Sequence, residues 1–337
     1  MWLLCCGMMR SASTLQYNIA AKILEARAKV HRVGWIPPDR APGVFAQAVD
    51  NENEWFIGKL HHYDDYVEAF RRRFHPKTIY IYRDIRDVTV SLMHLRSWPF
   101  DEPELEAWVN LALNSDQAWR QVPDIMISRY EEVMIEGGLV AEVEKIARYL
   151  DIQLDPAEIE RIAASVTLSE HRHYIEQFDY AHHGQTEMDT SLDPTSLLHH
   201  NHIYSGAVGQ WKSALTPEQI ALVEAWAQGW LEARGYTVES HSEIEWWQQL
   251  QALWEDRKAK IIELRGHVNL LEARVQALEQ ELNQAHAHNE RRQAENQNLR
   301  SEISALTQQI EYDEMRFEQI RGRKIAWLMR KFGRPVA

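Results

Sequence analysis

The first 28 residues change character twice, and this pattern constrains the fold more than any other stretch of the chain. Residues 1–6 are apolar, residues 7–14 are mostly small or polar, and residues 15–28 are again rich in apolar side chains. The pattern predicts a buried strand, a tight turn and a helix. In such a turn, backbone N–H groups and the helix dipole can hold a phosphate-like anion. We therefore expect an α/β protein with an anion site early in its sequence.

The turn differs from the loop of nucleoside triphosphatases, which has Gly, four residues and then Gly-Lys-Ser/Thr. Here Ala12 and Ser13 occupy the positions of the second Gly and the Lys, and Thr14 occupies the Ser/Thr position. The positive charge lies within the loop, on Arg10. The lysine that reaches the β- and γ-phosphates is therefore missing. The alternative is an ordinary turn between a strand and a helix.

A second junction between a strand and a helix lies further along the chain. Residues 78–82 are β-branched or aromatic and predict a strand, and from Asp84 the apolar residues recur at helical spacing. Arg83 is thus at the carboxyl end of a strand, where open α/β sheets bind ligands, and Ser91 is two turns along the helix. A guanidinium suits a phosphate because its fork is planar and always charged. The alternative is a surface cluster of salt bridges.

A third strand is predicted for residues 55–60, and it ends at His61 and His62. Alternate side chains of a strand share a face, so Lys59 and His61 are expected to point the same way. Histidine suits a general base because its unperturbed pKa is near neutrality. His62 takes this role if the strand register is shifted by one residue. A solvent-exposed histidine pair is the other alternative.

Together with two later segments, these junctions resemble the motifs of the sulfotransferases that use 3′-phosphoadenosine-5′-phosphosulfate (PAPS). Residues 125–132 resemble the family's Tyr-Glu-Asp segment, and residues 206–212 resemble its Gly-x-x-Gly-x-Trp-Lys loop. Many soluble members have Arg-Lys just before that loop, whereas this chain has Tyr204 and Ser205. The resemblance spans about residues 1–238, with five motifs in the family's order.

The resemblance implies a role for each matching residue. It implies that His61 is the general base, and that Lys59 and Arg10 stabilise the transferring sulfonate and the leaving phosphate. It also implies that Arg83 and Ser91 hold the 3′-phosphate. The residues implied to bind the co-substrate are Arg10, Ser11, Ala12, Ser13, Thr14, Arg83, Ser91, Tyr130, Ser205 and Gly206.

The resemblance further implies a fold and a reaction. Residues 1–240 are expected to form a three-layer α/β/α domain with a central parallel sheet, the P-loop-like sulfotransferase fold. Its strands are expected near Leu3, Val30, Phe56, Ile79 and Met126. The implied reaction moves a sulfuryl group from PAPS to a hydroxyl of a glycan or small molecule, and releases 3′-phosphoadenosine-5′-phosphate (PAP) without a metal. The rival functions are an ATP-dependent P-loop kinase or NTPase, and a non-catalytic dimeric scaffold.

Composition narrows the partners and the location. The net charge of −13 disfavours a nucleic-acid partner. The only cysteines, Cys5 and Cys6, are adjacent on a predicted buried strand, so they point to opposite faces and predict a reducing, cytoplasmic compartment. No apolar segment reaches membrane-spanning length. The histidines between residues 171 and 202 lack a zinc signature, so no metal site is predicted.

After residue 242 the sequence becomes rich in Glu, Gln, Arg and Leu, and a heptad pattern follows. The two series of seam positions are Ile261, Val268, Val275, Leu282, Asn289, Asn296, Ile303, Ile310 and Phe317, and Leu264, Leu271, Leu278, Ala285, Arg292, Leu299 and Leu306. β-branched residues or Asn at a, with mostly Leu at d, favour a parallel two-stranded coiled coil. Residues 243–317 therefore predict a homodimer. The alternative is a single long helix packed on its own domain.

The last twenty residues, 318–337, are basic and contain aromatic side chains such as Trp327 and Phe332. In an otherwise acidic chain, this composition resembles an interfacial membrane helix and predicts peripheral contact with an anionic membrane on its inner face. The alternatives are a solvated end of the coiled coil and a basic patch that docks on the acidic domain.

Overall fold

Five parallel strands form a central sheet in the computed structural model, which describes residues 1–49, 51–187, 190–201, 203–227, 229–240 and 244–332. The strands are β1 (Trp2–Gly7), β2 (Lys29–Trp35), β3 (Glu54–Leu60), β4 (Lys77–Tyr82) and β5 (Met126–Arg129). Their order is β2-β3-β1-β4-β5, and each neighbouring pair is parallel. All five predicted strands are confirmed. β1 is central and fully buried because its side chains are apolar on both faces.

Helices connect the strands and cover the sheet. In the described residues they are α1 (Ser13–Glu25), α2 (Ala41–Ala46), α3 (Asp65–Phe74), α4 (Ile85–Arg96), α5 (Pro103–Trp119), α6 (Tyr130–Val133), α7 (Gly138–Tyr149), α8 (Pro156–Ala164), α9 (Leu168–Gln177), α10 (Tyr180–His183), α11 (Trp211–Ala214), α12 (Pro217–Trp226), α13 (Trp230–Ala233) and α14 (Ile244–Phe332). A small antiparallel pair, β6 (Gln185–Glu187) and β7 (Thr190–Leu192), follows α10.

The sheet separates two hydrophobic cores, which gives the predicted three-layer arrangement. Leu3 and Cys5 pack on one face with residues of α1, α7 and α8. Leu4 and Cys6 pack on the other face with residues of α4, α5 and α12. Both thiols are free and buried. The alternation along β1 keeps the two thiols apart, as the sequence predicts.

Side-chain caps fix where two important helices begin. The Asp84 carboxylate accepts a hydrogen bond of 3.0 Å from the backbone N–H of Arg86 at the start of α4. At the start of α12, Thr216 and Gln219 form a reciprocal capping box, and Pro217 is the first helical residue. The Asp84 cap places the start of α4 directly after the carboxyl end of β4.

The chain divides into two compact units, Met1–Ile261 and Ile262–Ala337, and α14 contributes to both. Within the first unit, the buried Trp254 ring lies 5.6 Å from the rings of Phe100 and Trp226. Lys258 forms an ion pair of 2.7 Å with Glu106 of α5. The first turns of α14 are therefore part of the α/β unit.

In the second unit, α14 exposes its apolar heptad positions. The exposed side chains include Leu264, Val268, Leu271, Val275, Leu278, Leu282, Leu299, Ile303, Leu306, Ile310 and Phe317. Among the described helices, none is long and apolar enough to cross a membrane. Three predicted features lie outside the described residues: the domain boundary at 241–243, His202, and the end of the basic tail at 333–337.

Candidate functional site

A cavity of about 400 Å³ lies where the carboxyl ends of the strands meet. The predicted site residues that line it are Arg10, Ala12, Ser13, Thr14, Lys59, His61, Arg83, Ser91, Tyr130 and Gly206. His62, the alternative base, lines it as well. Ser11 and Ser205 do not line it, for reasons that lie in their own hydrogen bonds.

Ser11 holds the loop after β1 together from the inside. Its hydroxyl oxygen lies 2.6 Å from the Met8 carbonyl oxygen and 2.9 Å from that of Ile81, and its N–H donates to the Met8 carbonyl. Arg10 and Ala12 on either side have φ angles of 65° and 73°, in the left-handed region that is costly for L-residues. This backbone turns the Ser11 hydroxyl into the core, where it shapes the loop, and binding of the co-substrate by Ser11 stays a prediction.

Arg10 joins the loop to α4. Its Nε donates a 2.9 Å hydrogen bond to the Ser91 hydroxyl, 81 residues along the chain. Burial and the neighbouring Arg83 lower the pKa of Arg10 to about 10, so it stays charged at neutral pH. The N–H groups of Ser13 and Thr14, in the first turn of α1, have no partner within the helix. Charge and backbone donors thus make this end of the cavity suited to an anion.

Lys59 and His61 lie side by side, as the alternation of β3 predicts. The Lys59 Nζ is 3.3 Å from His61 Nε2 and 4.6 Å from the centre of the Trp35 ring. His61 Nδ1 lies 2.6 Å from the Gly7 carbonyl oxygen. A carbonyl can only accept, so Nδ1 carries the proton and Nε2 presents its lone pair to Lys59.

Burial changes the ionisation of both groups. Burial, followed by the charge of Arg10, lowers the pKa of Lys59 to about 7. Burial and the adjacent Lys59 hold the pKa of His61 well below its usual value. His61 is therefore neutral at physiological pH, with an unprotonated Nε2 at the cavity.

His62 occupies a different environment on the same wall. Its Nε2 lies 3.6 Å from Asp64 Oδ2, and neither ring nitrogen has a hydrogen-bond partner among the described residues. Burial lowers the pKa of His62 as well. The contact with Lys59 thus distinguishes the environment of His61 from that of His62.

Arg83 is buried at the end of β4, where its guanidinium contacts Ala207, Asp87 and Tyr130. Its Nη2 donates to the Ala207 carbonyl at 2.7 Å and lies 3.3 Å from Asp87 Oδ2. The guanidinium carbon lies 4.2 Å from the centre of the Tyr130 ring, and the Tyr130 hydroxyl donates to the Gly206 carbonyl at 2.6 Å. The buried Nε has no hydrogen-bond partner among the described residues.

Asp87 ties the loop at residues 206–212 to α4. Its carboxylate accepts hydrogen bonds from the N–H groups of Gly209 at 2.8 Å and Trp211 at 3.0 Å. Burial raises the pKa of Asp87, while Arg83 and the two N–H groups oppose this shift. Two motifs that are far apart in the sequence therefore form one connected structure.

Arg86 completes a buried network rather than a surface cluster. It pairs with Asp84 at 2.7 Å and with Glu224 of α12 at 2.6 Å, and its guanidinium carbon lies 3.8 Å from the centre of the Trp211 ring. All three charged groups are buried. The alternative of a solvated salt-bridge cluster around Arg83 is therefore excluded.

Ser205 is also used inside its own loop. Its hydroxyl bonds to the Gln210 side chain and accepts from the Ala207 N–H at 3.1 Å. Its carbonyl accepts a 2.7 Å hydrogen bond from Arg172 of α9. These contacts occupy the Ser205 side chain within its own loop, and its role in co-substrate binding stays a prediction.

Several cavity residues were not found from the sequence. They are Trp35, Arg96 and Trp108; His171 and His199, which belong to the histidine-rich segments of the sequence, also line the cavity. Burial lowers the pKa of His171 to about 4 and that of His199 to about 3, so both are neutral. Trp35 could have been found, because it ends β2 at the same edge of the sheet. The others belong to no motif, and only tertiary packing brings them to the cavity.

The fold is an open parallel α/β sheet, a class of protein that binds ligands at the carboxyl ends of its strands. The cationic side chains that line the cavity at this edge suit an anionic ligand. The sequence profile of the sulfotransferase domain matches residues 46–235, more than half of the chain. The protein therefore belongs to the sulfotransferase domain family. The matched range includes Lys59, His61, Arg83 and Ser91, and it begins after the Arg10 loop.

Solved structures of low sequence identity are also similar to this chain. A mouse sulfotransferase complexed with PAP is 17% identical over 70% of this chain and 86% of its own, with a TM-score of 0.49. Retinol dehydratase in complex with retinol and PAP is 16% identical over 68% of this chain and 81% of its own, with a TM-score of 0.47. A comparison with curated proteins gave no significant match. The family assignment rests on the sequence profile.

Proposed function

We propose that this sulfotransferase moves a sulfuryl group from PAPS to the hydroxyl of a small-molecule or glycan acceptor. The observation that carries the proposal is that Arg10, Lys59, His61 and Arg83 line a single cavity. Three cations suit a donor that carries a 3′-phosphate and a 5′-phosphosulfate. The neutral histidine beside them suits proton removal from a hydroxyl.

The proposed step conserves atoms and charge. The acceptor oxygen attacks the sulfur, a new S–O bond forms, and the bond between the sulfur and the 5′-phosphate oxygen of PAPS breaks. His61 Nε2 takes the hydroxyl proton, and PAP leaves with the electron pair. Arg10, Lys59 and the N–H groups at the start of α1 stabilise the negative charge on the sulfonate and the leaving phosphate. Because these cations are fixed in the protein, we propose that the step uses no metal.

Lys59 links binding of the donor to activation of His61. In the structure its Nζ is 3.3 Å from the Nε2 lone pair that would accept the proton. With a pKa lowered to about 7, Lys59 gains most from a nearby anion, which raises that pKa again. We propose that the sulfonate draws Lys59 to itself and so frees Nε2 for the acceptor hydroxyl.

Arg83 and Ser91 are proposed to bind the 3′-phosphate. Both residues line the cavity, and the Ser91 hydroxyl accepts a hydrogen bond from Arg10. Tyr130 under the guanidinium and Asp87 beside it fix the direction of the fork. A guanidinium held in this way loses little conformational entropy when it binds.

Binding of PAP and ATP, each with and without Mg²⁺, tests the donor and separates the rival functions. We expect PAP to bind about tenfold or more tightly than ATP in calorimetry, because only PAP has a 3′-phosphate for Arg83. Mg²⁺ should change PAP binding little. Tighter binding of ATP that depends on Mg²⁺ would instead support a kinase or NTPase. A folded protein that binds neither nucleotide would support a scaffold.

The exposed heptad positions of residues 262–317 support a second proposal, a parallel homodimer. A stripe of Val, Leu and Ile on one helix is costly in water, and a second copy of the same helix buries it at matching heights. The Asn residues at 289 and 296 fix the register in such a seam. A cytoplasmic location and membrane contact by the basic residues 318–337 are proposed on composition alone.

Truncation tests the dimer. We expect the full chain to be dimeric and a chain ending at Ile261 to be monomeric in light scattering, because the cut removes the exposed seam. The cut belongs after Ile261, since Trp254 and Lys258 pack on the α/β unit. The shortened chain should keep its PAP affinity, which controls for unfolding. A monomeric full chain would contradict the coiled coil.

A further inference from the structure

One face of α5 forms a wall that runs from the proposed base to the far end of the cavity. The Ser115 hydroxyl donates to the His61 carbonyl at 2.5 Å, and the Trp119 ring N–H donates to the same oxygen at 2.9 Å. One and two turns before Ser115, Leu111 and Trp108 also line the cavity. The seven helical rises between Trp108 and Ser115 span roughly 10 Å. Trp108 therefore lies well away along α5 from the residues that contact the His61 carbonyl.

Arg96, at the end of α4, lies against this distal part of the wall. Its guanidinium carbon is 4.7 Å from the centre of the Trp108 ring and 5.9 Å from that of Trp98. The side chain is half-buried and lines the cavity, and its Nε is buried without a hydrogen-bond partner among the described residues. Stacking on Trp108 fixes the plane of the guanidinium.

Arg96 differs from the other buried arginines of this region in its partners. Arg83 and Arg86 each have a carboxylate of the protein within ion-pair distance. Within the described part of the chain, no carboxylate pairs with Arg96. A buried guanidinium nitrogen without a hydrogen-bond partner has a free-energy cost. An anionic ligand that pairs with the guanidinium would reduce that cost. The remaining lining near it, Leu95, Trp108 and Leu111, offers an apolar surface and no competing charge.

We propose that the acceptor is an apolar hydroxyl compound that also carries a carboxylate, and that Arg96 binds this carboxylate. The inference rests on the proposed sulfuryl transfer and specifies its substrate class. The carboxylate accepts from the guanidinium of Arg96, the apolar body packs along Trp108 and Leu111, and the hydroxyl reaches His61. The product then has a sulfate ester at one end and an unchanged carboxylate at the other.

Matched pairs of acceptors, with and without the carboxylate, test the inference. The aromatic pair is 4-hydroxyphenylacetate and 4-ethylphenol, and the aliphatic pair is 10-hydroxydecanoate and 1-decanol. Binding of each compound is measured on the full chain saturated with PAP, and sulfate transfer is measured with PAPS. We expect the anionic member of at least one pair to bind about tenfold more tightly, since it gains a charge-assisted bidentate contact.

Variants of Arg96 then test whether this side chain causes the preference for the anionic acceptor. Arg96→Gln should remove the preference for the anion while leaving the neutral member and PAP unchanged, and Arg96→Lys should restore part of it. Arg73→Gln is the matched control, because Arg73 also stacks on a ring, that of Phe74 at 4.8 Å, but is exposed outside the cavity. No preference in either pair, or a preference that survives Arg96→Gln, would overturn the inference. If the unmodified protein does not bind PAP at all, the proposed function itself is overturned.

Discussion

His61→Ala is expected to lower kcat by about 10²–10⁴ and to leave the affinity for PAP nearly unchanged. His61 Nε2 is neutral, faces the cavity beside Lys59, and has its tautomer fixed by the Gly7 carbonyl. Removing it takes away the proton acceptor without removing a cation from the donor site. Single-turnover transfer from PAPS measures the rate, and calorimetry with PAP measures the affinity.

His62→Ala is the matched control, because His62 lines the same cavity one residue later. Its ring is near Asp64 and not near Lys59, so we expect a much smaller fall in kcat. If His62→Ala is the inactive variant and His61→Ala is not, the roles of the two histidines are exchanged. A loss of PAP affinity in His61→Ala would show that its contact with Gly7 maintains the donor loop.

Arg83→Gln is expected to weaken PAP binding by about 2 kcal/mol, because a charge-assisted hydrogen bond in a partly dry site is lost. AMP lacks the 3′-phosphate, so its binding should hardly change. Glutamine is preferred to alanine here because Arg83 also donates to the Ala207 carbonyl, and an amide can still donate. Titration calorimetry with both nucleotides measures the difference.

Arg83→Lys separates charge from geometry at the same position. Lysine keeps the positive charge but lacks the planar fork, so its PAP affinity should fall between those of the parent and Arg83→Gln. Thermal unfolding of both variants checks that Asp87, which loses its buried partner, has not destabilised the fold. Equal weakening of PAP and AMP would contradict the assignment of Arg83 to the 3′-phosphate.

The parts of the fold that depend on local chemistry could be predicted from the sequence. Strand β1 is an uninterrupted apolar run, and the start of α12 is marked by the adjacent residues Thr216 and Pro217. The common orientation of Lys59 and His61 follows from the two-residue period of a strand. These features depend on neighbours within a few positions, which a single sequence contains.

Features that depend on distant contacts could not be predicted in this way. The direction of Ser11 depends on two left-handed φ angles and on the Ile81 carbonyl, and no local pattern specifies either. The role of Asp87 could not be predicted, because two of its partners are backbone N–H groups more than 120 residues away. Arg96 meets Trp108 only because α4 packs on α5.

Gly7 connects the two halves of the proposed chemistry. A Cβ at this position would lie 2.9 Å from the Ser13 Cβ and 3.0 Å from the Ile81 carbonyl oxygen, and the Gly7 carbonyl accepts the hydrogen bond that orients His61. A side chain at residue 7 would therefore displace the donor loop and the histidine together. A redesign of this loop for another donor is therefore expected to change the orientation of His61 as well, because Gly7 contacts both. The choice of donor and the removal of the acceptor proton cannot be engineered separately in this protein.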